Sequence, residues 1–190
     1  MTPKRASYLS ASVLGLALIS LPLQAQVSEQ RLQAIEDYIA IEQLLVRYAI
    51  ALNTEDADAY VNTFAPDGEL RLIRQEGEAP FAGPFTGRDA LRKQWFPGHP
   101  GPGAPRPELR RFGAMRHVTT NPLIQVRGNT ATVDAIFMEV VSNGPNIPPG
   151  SKPPTIWAMG RYMDELVKLD GRWYFKRRTV ITDLNKKFEP

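Results

Sequence analysis

From residue 27 to residue 53 apolar side chains recur at spacings of three and four, at Ile35, Tyr38, Ile41, Leu45, Tyr48 and Leu52. That is the period of one face of an α-helix, and it predicts a long helix with a single apolar face that must lie on something flat. Ser28, with Glu29 behind it, supplies an N-cap. Asn53, Thr54, Glu55 and Asp56 break the period. Asn53 suits a helix end because it tolerates the left-handed conformation, and Asp56 can cap a short second helix over 57–64. Ala65, Pro66, Asp67 and Gly68 then read as a turn into a strand over 69–73. The Gly- and Pro-rich stretch 75–85 reads as loop, and 87–96 as a third helix ended by Pro97.

Beyond residue 115 the period changes to two. A run over 116–126, the turn Arg127, Gly128, Asn129 and a run over 131–141 predict an antiparallel pair; 155–169 and 172–182, joined by Asp170 and Gly171, predict a hairpin. Two segments dense in Pro and Gly, 97–107 with His99 and 143–154, can be neither strand nor helix interior. Loops of that length are candidates for the rim or lid of a pocket. Helices first and mostly antiparallel strands afterwards define the α+β class, with one curved sheet wrapped on the long N-terminal helix. A helix in the concave face of such a sheet leaves a cone with an open end, where apolar pockets form.

The N-terminus alters how much of the chain belongs to that fold. Lys4 and Arg5, an apolar run over 13–23 and the small residue Ala25 form a charged region, a hydrophobic region and a cleavage position. Residues 1–25 therefore read as a secretory signal peptide, and the mature protein as a secreted or periplasmic chain with no membrane association. Removing them leaves 190 − 25 = 165 residues, one domain over 26–190 with a sizeable core. The 23 Lys and Arg include Lys4 and Arg5, so 21 face 20 Asp and Glu in the mature part. Near-balance, with no basic stripe carrying aromatics, argues against nucleic acid as a partner. There is no cysteine, which excludes disulfides and thiolate chemistry, and two histidines without a nearby carboxylate cluster argue against a dedicated metal site.

Candidate chemistry centres on His117, the one histidine inside a predicted strand, since imidazole alone exchanges protons near neutral pH and a strand holds it in place. Tyr48 lies on the apolar face of the long helix, either as a core aromatic or with its hydroxyl in the cavity. Alternation puts Glu139 on one face of its strand with Val133, Ala135 and Phe137, and Asp134 on the other with Ile136 and Met138; which face is inside stays open. The same holds for the neighbours Asp164 and Glu165. Arg178 is a candidate to bind a phenolate or carboxylate, and Trp95, Phe137 and Glu139 to line the substrate site.

The order of these segments resembles a known family. Arg47 to Asn53 at the end of the long helix, then Phe64-Ala65-Pro66-Asp67-Gly68, Gly87-Arg88, Arg116-His117-Val118-Thr119-Thr120-Asn121, Gly160-Arg161-Tyr162 and Asp170-Gly171-Arg172-Trp173 is similar to the SnoaL-like branch of the nuclear transport factor 2 superfamily. The resemblance covers nearly all of the mature chain. It implies a cone-shaped α+β barrel that forms homodimers or homotrimers. Relatives include scytalone dehydratase, ketosteroid isomerase, polyketide cyclases, a dehydrochlorinase and lyases of lignin-derived aromatics. In dehydratase-like members an Asp at the end of the first helix pairs with the strand histidine; here those positions are Asn53 and His117. An amide orients an imidazole but does not stabilise the imidazolium, so His117 should be the weaker base. In the isomerase pattern the tyrosine matches Tyr48, while the general-base Asp falls near Leu72. The expectation is an exported, cofactor-independent lyase or isomerase that takes a small apolar, aromatic molecule. His117 is its acid/base, Asn53 its orienter or a substrate hydrogen-bond donor, and Tyr48 a hydroxyl donor. The alternative is a non-catalytic ligand-binding or protein-interaction module of the same fold.

Overall fold

The computed structural model describes residues 23–96, 115–141 and 154–185. Most of the expected signal segment, His99 and both candidate rim loops apart from Pro154 lie outside these residues. Helix α1 (Leu23–Asn53) begins upstream of Ser28, which is therefore an interior residue and not its cap. From Asp37 onward it buries Asp37, Ile41, Leu44, Leu45, Tyr48 and Ala51. Ile35 and Tyr38, expected on that face, are 57% and 40% exposed, because α1 packs on the sheet only over its later turns and residues 27–36 are exposed throughout.

Helix α2 (Ala57–Val61) is capped by the Asp56 carboxylate, which accepts a hydrogen bond from the Ala59 N–H at 2.9 Å. It stops short of residue 64 because Phe64 already begins strand β1 (Phe64–Ile73), which absorbs the tetrad expected to be a turn. Part of the expected loop is also a strand, β2 (Ala82–Thr86), paired with β1 at the edge of the sheet. An edge accepts Pro84, which has no N–H to give to a ladder. Helix α3 (Arg88–Trp95) follows as predicted. The long strands are β3 (Met115–Arg127), β4 (Thr130–Val141), β5 (Thr155–Leu169) and β6 (Arg172–Asn185).

The six strands form one sheet in the order β2-β1-β6-β5-β4-β3. All pairings are antiparallel except that of β1 with β6. The β5–β6 turn has Asp170 and Gly171 both at positive φ, 48° and 76°, the backbone a two-residue hairpin of matched twist requires. Alternation resolves the faces. Val133, Ala135 and Phe137 of β4 and Ala158, Tyr162, Asp164 and Leu166 of β5 point inward, with Phe175, Arg178 and Val180 of β6. Glu139 and Asp164 are thus inside, and Asp134 and Glu165 outside, where they pair with Arg161 and Arg177.

Two polar devices hold this arrangement. Asp37, nearly buried on α1, accepts from the Trp173 indole N–H at 2.8 Å and Lys168 Nζ at 2.7 Å, tying the helix to the β5–β6 hairpin. Gly160 sits at a bulge where a Cβ would lie 1.9 Å from the Ile181 carbonyl oxygen, so only glycine allows β5 and β6 to close over the helix there.

Candidate active site

The end of α1 and the start of β3 meet in one contact. Asn53 Oδ1 accepts a hydrogen bond from the His117 backbone N–H at 2.8 Å and lies 2.9 Å from His117 Nδ1. The backbone group can only donate, so the amide atom facing it is the oxygen; an oxygen cannot donate, so Nδ1 carries the proton. Asn53 thereby selects one tautomer, and Nε2 is left with a free lone pair. These two residues, 64 positions apart, are the first pair that the sequence reading placed together and the fold brings together.

Across the β3–β4 ladder His117 stands directly opposite Glu139, on the same inward face. Nε2 and Glu139 Oε1 are 3.8 Å apart, with side chains only 12% and 23% exposed. That distance exceeds a hydrogen bond. Burial, helped by the positive Arg178 guanidinium, pushes the imidazole down to about 4. Burial also lifts the Glu139 carboxyl above its ordinary value. Both shifts share their largest cause, the penalty on charge in a poorly solvated interior, and both favour the neutral form.

Behind this pair lies an aromatic box. Tyr48, buried on α1, packs against Tyr60, Tyr162, Phe64 and Phe175 at centroid distances of 5.4–6.2 Å. Phe137 stacks on Tyr162 at 4.6 Å. Burial raises the Tyr48 phenol above its ordinary value, against the pull of Arg178, so it remains a donor. Within the box the Arg178 guanidinium carbon lies 4.1 Å from the Tyr48 ring centre and 4.0 Å from those of Tyr162 and Phe175. Cation–π attraction favours such a cage.

Arg178 is fully buried and gives two N–H groups to Asp164, at 2.8 and 2.6 Å. Burial works against its charge, but Asp164 outweighs that and holds it above its ordinary value. The two form a fixed internal ion pair, and the guanidinium expected to meet a bound anion gives two of its N–H groups to Asp164 instead. Nη1 of Arg178 and the Tyr60 hydroxyl are buried with no hydrogen-bond partner among the described residues.

Trp95 is not part of this cluster as described. It stays 39% exposed at the end of α3, and the next residue, the non-helical C-cap, turns inward: Phe96 packs on Tyr60 at 5.5 Å. Leu72, where the isomerase pattern would need its carboxylate, is a half-buried leucine packed on the core. Tyr60, Tyr162 and Phe175 were not named as site residues from sequence, and Asp164 only as one of two neighbours whose face stayed open. Alternation alone could have nominated Tyr162 and Asp164 together, two residues apart on one face.

Comparison with known proteins agrees with this fold. No curated protein matches the chain. Among solved structures, a scytalone dehydratase-like protein from Novosphingobium aromaticivorans is 26% identical, with a TM-score of 0.55 over 80% of this chain and 87% of that one. An NTF2-like protein with a cystatin-like fold from the same organism is 19% identical, TM-score 0.61, over 88% and 92%. The beta subunit of a protein of the aromatic-ring-hydroxylating dioxygenase type, again from that organism, is 18% identical, TM-score 0.58, over 80% and 92%. The last two show the shared fold alone. The SnoaL-like domain profile matches residues 33–179, from the middle of α1 to the Arg178 box, and the chain belongs to that family with its NTF2-like fold.

Proposed function

We propose that this protein is an exported, cofactor-independent lyase or isomerase that acts on a small, apolar, aromatic molecule, with His117 Nε2 as the base. The carrying observation is the double contact of Asn53 Oδ1 with the His117 N–H and Nδ1, which fixes ring and tautomer. A neutral imidazole with a low proton affinity is fully available as a base at neutral pH. The charge of the caged Arg178 bears on the imidazole, and the Tyr48 phenol on the same cage stays protonated as a donor, an arrangement suited to negative charge developing on a carbonyl or phenol oxygen. The scytalone dehydratase-like relative supports an aromatic, hydroxylated substrate class.

A panel of hydroxylated aromatic compounds, assayed with wild type and His117→Ala, tests the proposal. Turnover of at least one compound should fall by roughly 100-fold or more in the variant, the usual contribution of a positioned acid or base. Equal turnover in both proteins rejects His117 as the base. The second reading is a ligand-binding or subunit-like module without turnover. It is favoured by the amide at residue 53, which orients the histidine yet leaves the imidazolium without a carboxylate. Tight binding of panel members with no conversion supports it.

A further inference from the structure

Helix α1 has two apolar faces, and the sheet covers one of them. Leu32, Ile35, Ile39, Val46 and Ile50 are 47–57% exposed. At about 100° per residue they fall within an arc of about 60°, opposite the buried Asp37, Ile41, Leu44 and Tyr48. The outer side of a surface helix is ordinarily polar, and a helix apolar on both sides is covered on both. We propose that the outer stripe is an interface on which α1 of a second copy of this chain packs antiparallel, about a two-fold axis between residues 42 and 43. The inference goes beyond the reading of His117 as base and does not depend on it.

Three observations select a second copy. The first is spacing. Leu32, Ile35, Ile39 and Val46 follow one another at three, four and seven positions, the seam of a two-helix coiled coil, and the skipped seam position holds Glu42. A polar residue at one seam position fixes register at a cost in stability. The second is self-complementarity. An axis between residues 42 and 43 sets Ile35 opposite Ile50 and Ile39 opposite Val46, and each of these apolar contacts is made twice, as a two-fold interface requires.

The third is charge. Glu36 and Arg47 lie on the same edge of the stripe but about 16 Å apart along the helix, too far to pair within one chain. In an antiparallel pair like edges meet, so Glu36 of each copy comes within a turn of Arg47 of the other. Arg47 lacks a counter-charge at home: burial and the like charge of Arg172 hold it below its ordinary value, and among the described residues no carboxylate pairs with it. Glu42 acts in the opposite sense. Beside the axis it faces its own counterpart, and this one like-charge contact weakens the pair.

Sedimentation of the full chain over a concentration series tests the proposal. Wild type should reach a dimer. Ile39→Glu combined with Val46→Glu should leave a monomer with unchanged circular dichroism, since both side chains point to solvent in the single chain. Glu36→Lys and Arg47→Glu should each raise the dissociation constant roughly 10-fold, two exposed pairs being lost at once, and the two together should restore it. Glu42→Gln should lower it. The chain has no cysteine, so Gln43→Cys places single thiols across the axis and should form a disulfide-linked dimer under mild oxidation, while Glu29→Cys, far from the axis, should not. A wild type that stays monomeric, charge reversals that add instead of compensating, or cross-linking of both cysteine variants alike overturns the proposal. A dimer that survives Ile39→Glu with Val46→Glu but dissociates in Leu123→Arg with Ile136→Arg is held by the outer face of the sheet, and overturns it equally.

Discussion

Replacing Asn53 by Asp restores the carboxylate of dehydratase-like relatives and tests the geometry directly. The new side chain keeps both acceptor contacts, since a carboxylate oxygen accepts from the His117 N–H and from Nδ1–H as the amide oxygen does. What changes is charge, placed 2.9 Å from an imidazole held at about 4. An opposite charge this close raises a histidine by roughly 1 to 3 units, which is about 1.4 to 4 kcal/mol in favour of the imidazolium. The variant should therefore titrate at roughly 5 to 7. NMR titration of the ring carbons reads this directly, with His99→Gln to assign the two histidines. In turnover, the acidic limb of kcat/KM should move up in pH by the same amount, because the base must first lose a more tightly held proton. If activity vanishes while the pKa rises, the Asn53 amide N–H is a substrate donor, which an ionised carboxylate cannot replace. A ring that titrates within half a unit of wild type, or a wild type that titrates near the ordinary 6.5, refutes the reasoning.

Other expectations follow from the same structure. With its pKa lowered from 6.5 to about 4, His117 leaves the unfolded chain binding a proton that the folded chain rejects. Stability should therefore fall by about 3 kcal/mol as pH drops through that window and level off below it; urea titrations should show a flatter dependence in His117→Gln, and identical slopes would remove the cause. Asp164→Ala strands the buried Arg178 charge and should cost roughly 3 to 5 kcal/mol, whereas Asp164→Leu with Arg178→Met should regain most of it in the same denaturation assay. Gly160→Ala drives a methyl into the Ile181 carbonyl and should cost roughly 3 kcal/mol, seen as a lower urea midpoint. Intact-mass measurement of protein from an exporting host should show a chain that starts near Gln26; a retained Met1 in the cytosol rejects export.

Local pattern by itself determined the order of elements apart from β2, the Gly128 and Asp170-Gly171 turns, the α+β class and the place of His117 on a strand, because each depends on neighbours within a few residues. The pairing of Asn53 with His117 was legible only through the order of family-like segments. Nothing in either stretch encodes a contact across 64 positions. Which helical face is buried required the sheet: Asp37 faces inward because Trp173 and Lys168 meet it, while Ile35 stays 57% exposed. The clearest case is Arg178. From the Asp170-Gly171 turn, unbroken pairing of β5 with β6 would set Arg177 opposite Asp164 and turn Arg178 to the outside. The register slips between Glu165 and Leu166, where Phe175 still faces Leu166 but Arg177 faces Glu165, and Lys176 is the extra residue. A one-residue bulge reverses every side chain beyond it. That slip puts Arg178 rather than Arg177 among the three aromatic rings and brings its charge to bear on His117.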